Sequence, residues 1–155
     1  MSQFSNKIKS MGIELTNPPA PVANYVGFVK SGNLLSISGQ LPLLNGKLAF
    51  IGKVGQEISV EDANRAARIC AINVVSQLNA ACDGDLDRVV KCVKLGIFVN
   101  SVPDFKEHPQ VANGASDLIA DIFGDAGKHS RAAVGSASLP FGVPVEVDAL
   151  FEIES

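Results

Sequence analysis

The sequence predicts an α+β fold of two layers, with two helices packed on one face of a mostly antiparallel sheet. Two observations carry that prediction. Short runs rich in Val, Ile, Leu and Phe, bounded by Gly, Pro, Asn and Asp, recur as strands. Two other stretches, one after Ser59 and one from Gln110 to Phe123, repeat their apolar residues at helical spacing. The order reads β-β-(β)-α-β-α-β-β within a single domain over residues 1–155, and two helices can cover only one face of such a sheet. Hydrophobic residues make up 46% of the chain. The uncovered face or its edges should therefore be buried by self-association.

Residues 1–21 read as an N-terminal arm. It holds a short apolar segment at Ile13-Glu14-Leu15 and then Asn17-Pro18-Pro19-Ala20-Pro21, which favours extended backbone. Tyr25–Val29 is a strand candidate, Ser31-Gly32-Asn33 a turn, and Leu34–Ser38 the returning strand. Gly39 follows, where the missing Cβ lets the backbone come close to a ligand. Asn45-Gly46, between Leu43-Leu44 and Lys47-Leu48, is a strong hairpin signal. Ser59 and Asp62 resemble a capping box at the start of the first helix, which Asp83-Gly84 ends. Arg88–Val99 reads as a long strand, and Ser101-Val102-Pro103-Asp104 turns the chain into the second helix.

The C-terminal stretch carries the most chemistry. His129–Ser138 reads as a strand, Leu139–Gly142 as a tight corner, and Val143–Leu150 as another strand. In the last strand Val145 and Val147 alternate with Glu146 and Asp148, so the valines share one face and the acids the other. Arg131 opens the preceding strand, and a guanidinium is the group suited to gripping a planar carboxylate bidentately. Glu146 is a ready general base or water-orienter. If the two strands form a simple hairpin, Arg131 lies near Leu150. That offsets it from Glu146 by roughly 13 Å at about 3.4 Å per residue, so a neighbouring chain or a bulge is needed to join them.

Composition narrows the classes further. The net charge of −3 and the scattered Lys and Arg argue against a nucleic-acid groove. The two histidines, His108 and His129, stand twenty-one residues apart with no metal-ligand spacing, so no metal is expected. Gly52-Lys53-Val54-Gly55 lacks the ending of a phosphate loop, and no GxSxG motif is present. Three cysteines, none in a CxxC, fit reduced, packed thiols. The start lacks an apolar signal region and no run reaches the roughly 20 apolar residues of a membrane span. The expected compartment is the cytoplasm.

The polar residues left at strand ends are Tyr25, Ser38-Gly39-Gln40, Asn113, Arg131 and Glu146, each with an ordinary structural role open to it. A resemblance joins them. Asn24-Tyr25 with Ser31–Pro42 resembles the N-terminal motif of the reactive-intermediate deaminases, also called YjgF-like or L-PSP endoribonucleases. Phe98-Val99-Asn100, Asp104-Phe105 and Asn113 resemble the central motif of that family, and Arg131, Leu139-Pro140 and Val145–Ala149 its C-terminal signature. The resemblance spans residues 16–152.

It implies a chorismate-mutase-like fold and a homotrimer with clefts between subunits. It also implies hydrolysis of carboxylate-bearing enamines or imines, of the 2-aminoacrylate or 2-imino acid type, to 2-keto acids and ammonia. By position, Arg131 would grip the substrate carboxylate and Glu146 would orient or activate water. Ser38 and Gly39 would line the pocket, and Tyr25 and Asn113 would close it. No cofactor is implied. Two other readings stay open, the endoribonuclease that gives the family one of its names and a non-enzymatic trimeric binder of carboxylate metabolites. Ala133 stands where the best-known branch often has Cys, and Glu107–Gln110 adds residues before the second helix; both features resemble a longer branch of about 150 residues.

Overall fold

The computed structural model describes residues 2–18, 21 and 23–155. Part of the extended Asn17–Pro21 expectation falls on Pro19 and Ala20, outside the described residues. The chain runs α1 (Gln3–Ser10), β1 (Phe28–Ser31), β2 (Leu34–Gln40), a small hairpin β3 (Leu43–Leu44) and β4 (Lys47–Leu48), then α2 (Val60–Ala81). It continues with β5 (Val89–Asn100), α3 (His108–Phe123), β6 (Ser130–Ser136) and β7 (Val145–Ile153). A five-stranded sheet in the order β1-β2-β7-β5-β6 is antiparallel except for the parallel pair β5–β6. Helices α2 and α3 pack against each other and against one face of that sheet, the predicted two-layer α+β architecture.

Local chemistry explains most boundaries. Asn45 and Gly46 both take positive φ, as a two-residue hairpin turn requires. The Ser59 hydroxyl caps α2 by accepting from the Asp62 amide at 3.1 Å, but the Asp62 carboxylate pairs with Arg65 at 2.7 Å, so the predicted box is half formed. Asp83 and Gly84 turn out of α2 at positive φ. The core lies between the layers, where Ala67, Cys70, Val74 and Leu78 of α2 and Val111, Leu118 and Ile119 of α3 meet the sheet. From the sheet come Leu95, Ile97 and Val99 of β5 and Val145, Val147 and Phe151 of β7, alternating as predicted.

Three differences from the sequence reading matter. Residues 3–10 form a helix, capped by Ser2 and seated by buried Ile8 and by Phe4 edge-on to Phe123. At eight residues it is too short for apolar periodicity to announce it, and tertiary contact sustains it. The strand expected from Tyr25 begins at Phe28, because the backbone bends over residues 23–25. Most important, β6 and β7 are not a hairpin. Both pair with β5, on opposite sides, so β5 lies between Arg131 and Glu146.

Candidate active site

The expected site residues fall into two groups on opposite faces of the sheet. Arg131 is in register with Leu95, which points into the core beneath the helices. Glu146 is in register with Phe98, one of the residues that alternate onto the uncovered face. Two strand spacings of about 4.8 Å and three residues of about 3.3 Å separate their Cα atoms by roughly 14 Å. Within one chain the carboxylates therefore do not stand near the guanidinium, contrary to the reading of strand 143–150 as its partner.

The first group is built on α3 and β6. Arg131 Nη1 donates to Asn113 Oδ1 at 2.8 Å and to Ser116 Oγ at 3.0 Å, and Nη2 reaches the Pro109 carbonyl at 3.5 Å. Because α3 returns antiparallel to β6, one helical turn places Asn113 and Ser116 side by side over the strand edge. His129 supports the arrangement. Its Nδ1 lies 2.6 Å from the Gly127 carbonyl oxygen, which can only accept, so Nδ1 carries a proton. In the neutral ring Nε2 then accepts from Ser116 Oγ at 2.9 Å, leaving the hydroxyl oxygen lone pairs for Arg131. Among the described residues Arg131 pairs with no carboxylate. Its fork is aimed and its charge is free for an external anion.

The second group surrounds the irregularity in β2. The β2–β7 register shifts between Ile37 and Gln40, and Gly39 sits in that bulge. A Cβ on Gly39 would run into the Glu146 carboxylate, so glycine is required for Glu146 to lie where it does. Ser38 Oγ donates to the Val26 carbonyl at 2.6 Å, which ties the exposed Tyr25 segment to the bulge. Gln40 Nε2 braces the Ser38 carbonyl at 2.9 Å. Partial burial, and then the charge of Asp148, push the Glu146 carboxyl above its ordinary range. Burial raises Asp148 too, against the Gly96 amide and Lys94, which lower it.

The structure thus gathers Ser38, Gly39 and Glu146 at one place, with Tyr25 on the segment that Ser38 holds through the Val26 carbonyl, and Asn113 with Arg131 at another. Ser116 escaped the sequence reading, since a helical serine carries no signal of its own. His129 was legible only as a neighbour of Arg131. Cys70 is buried in the core, its thiol donating to the carbonyl of Val145, the neighbour of Glu146, at 3.6 Å. Burial raises all three thiols, Cys92 to about 12 and Cys70 well above its ordinary value, so none is a thiolate near neutral pH. Among the described residues no group of three His, Cys, Asp or Glu could hold a metal, and no helix is long and apolar enough to cross a membrane.

Known proteins share this arrangement of elements. The family described as "YjgF/chorismate_mutase-like, putative endoribonuclease" matches residues 5–151. The chain belongs to the YjgF/L-PSP family. Protein TCP17 of Trypanosoma cruzi is 51% identical over 149 residues, covering 96% of this chain and 92% of that protein. The crystal structure of Atu1372 from Agrobacterium tumefaciens superposes with a TM-score of 0.90 at 48% identity, covering 98% of this chain and 92% of that one. The YjgF protein of E. coli matches with a TM-score of 0.63 at 26% identity, over 88% of this chain and 93% of that one. The lower score fits the expectation of a distinct branch within the YjgF fold.

Proposed function

We propose that this protein hydrolyses small carboxylate-bearing imines, and the enamines that tautomerise to them, in a cleft between two copies of the chain. The observation that carries this reading is Arg131, a guanidinium pre-aimed by Asn113 and Ser116 with no carboxylate of its own among the described residues. It fixes the substrate carboxylate by two parallel charge-assisted hydrogen bonds. Glu146 comes from the neighbouring copy, whose uncovered sheet face meets this edge. A second copy is needed because the two groups lie on opposite faces of one sheet.

In that cleft the imine carbon is already electrophilic, so positioning contributes most of the acceleration. Glu146 takes a proton from water as the water oxygen bonds to the imine carbon and the C=N electron pair moves to nitrogen. A carboxyl raised by partial burial is suited to this, because it holds the proton and returns it to the departing nitrogen. The remaining hydroxyl proton passes to nitrogen by the same carboxylate as the carbonyl forms and the carbon–nitrogen bond breaks, giving a 2-keto acid and ammonia from one imine and one water. The bare backbone at Gly39 borders the carboxylate of Glu146, and Ser38 and Tyr25, joined through the Val26 carbonyl, shape the pocket around the reacting carbon.

The family description names an endoribonuclease, but a net charge of −3 weighs against an RNA groove. One experiment separates the readings. 2-Aminoacrylate is generated in situ by a pyridoxal-phosphate enzyme, and ammonia and keto-acid release are followed with and without this protein, beside an RNA-cleavage assay. Faster release with no RNA cleavage is expected. RNA cleavage without faster release establishes the nuclease instead, and neither activity leaves a binder.

A further inference from the structure

A pocket of about 440 Å³ opens where the ends of β5 and β6 meet the first turn of α3. Lys53, from the loop before α2, forms one side. Its ammonium donates to Asn100 Oδ1 at 2.7 Å and to the Ala137 carbonyl at 2.6 Å, which holds it in place and uses two of its three N–H groups. Ser101 is only 8% exposed, and its hydroxyl makes no hydrogen bond among the described residues, yet it lines the pocket. His108, at the start of α3, packs edge-on to Phe105 with ring centroids 5.0 Å apart. A Cβ placed on Gly135 would stand 3.0 Å from His108 Nε2 and 3.2 Å from Ser101 Oγ. Both polar atoms therefore converge on the same space over the bare Gly135 Cα.

The charge balance of this pocket is opposite to that of the chain. No Asp or Glu lines it, although the protein carries a net charge of −3. The nearby Glu57 accepts from the Lys53 backbone amide at 2.8 Å and from Gln56, and is not part of the lining. A hydroxyl open to the cavity, an ammonium with one free N–H and an imidazole nitrogen around one cavity suit a compact oxyanion. Val102 and Phe105 give the rest of the cavity an apolar wall.

We propose that this pocket is an oxyanion site separate from Arg131, taking the carboxylate or phosphate of a small molecule whose apolar body lies against Val102 and Phe105. Lys53 supplies the charge, Ser101 and His108 the directional hydrogen bonds, and Gly135 the room. The proposal stands whether or not the protein hydrolyses imines.

The test is an amide chemical-shift titration of the full chain with inorganic phosphate and, separately, with hexanoate. Saturable shifts centred on Ser101, His108 and Gly135 are expected with at least one of them. The tighter of the two identifies the source as phosphate or carboxylate. Lys53→Met should weaken binding about tenfold or more, the loss of one charge-assisted contact, and Gly135→Ala should weaken it by placing a methyl where the anion would lie. Arg131→Ala should leave it unchanged. Lys53 also staples the chain, so Gly135→Ala, which displaces its neighbours by only tenths of an ångström, guards against loss of fold. No saturable shift with either anion overturns the proposal, as does binding that survives Gly135→Ala in a folded protein but disappears in Arg131→Ala.

Discussion

Arg131 is held by its own chain while its charge is paired with no carboxylate among the described residues. Asn113 and Ser116 accept from the same Nη1, and His129 fixes the orientation of Ser116. Lysine offers one nitrogen where arginine offers a planar fork, so Arg131→Lys should keep the charge and lose one of two bonds to a carboxylate. That loss is worth about 1.5–3 kcal/mol, or roughly ten- to a hundredfold in kcat/KM, measurable on the imine substrate. Wild-type turnover in Arg131→Lys would remove the carboxylate clamp from the mechanism. Glu146 carries the opposite problem, a partly buried acid beside another acid. Its folded-state pKa is raised, so the native state holds more protons than the unfolded state between the two values. Stability is then greatest below the ordinary glutamate value and falls as pH rises through the folded one. Glu146→Gln should accordingly raise the melting temperature at pH 7 and leave it unchanged below about pH 4. A lower melting temperature at pH 7 would mean that the carboxylate is held by a partner.

Two glycines separate fold from site at the scale of elements. A Cβ on Gly114 would meet the backbone carbonyl of Asn64, where α3 crosses α2. A carbonyl inside a helix cannot swing away, so Gly114→Ala must push the helices apart, at a cost of about 1–3 kcal/mol. Urea unfolding should show a lower midpoint with an unchanged slope. At Gly39 the obstacle is the end of a flexible side chain, Glu146, so Gly39→Ala should spare stability and impair turnover. The sequence marked Gly39 as a place of close approach, but what approaches is a carboxylate of its own chain. Periodicity and turn chemistry made α2, α3, β5 and the Asn45-Gly46 hairpin legible because those signals are local. The pairing of β6 and β7 was not, since Leu139–Gly142 reads as a hairpin corner while β5, some forty residues earlier, takes both strands as partners. That topology, more than any single residue, decides where Arg131 and Glu146 stand. Resemblance singles out both residues as candidates, yet no local pattern reports that a strand lies between them.

At the scale of the whole molecule the uncovered sheet face is the unfinished feature. Val29, Leu34 and Val134 are 54%, 44% and 47% exposed, and the register puts them on the same face as Glu146 and Asp148. A contact that lays the Arg131 edge of one copy on the Glu146 face of the next uses two different surfaces, so it repeats until a ring closes. Three copies close it in the assembly implied by the sequence resemblance, giving three equivalent clefts. Val134→Glu, which puts a charge into that contact, should then sediment as the 16.2 kDa monomer and lose turnover while its circular dichroism stays that of the folded chain. A complementation experiment tests the sharing of residues directly. Arg131→Ala and Glu146→Gln are each expected to be nearly inactive alone. Co-refolded in equal amounts, they produce mixed rings in which about a quarter of the clefts draw Arg131 from one variant and Glu146 from the other. Activity should return to about that fraction of wild type. If the working pair belonged to one chain, every cleft would carry one of the two lesions and no mixture would regain activity. Restoration would therefore place the two residues of each cleft on different subunits, as their positions on opposite faces of one sheet require.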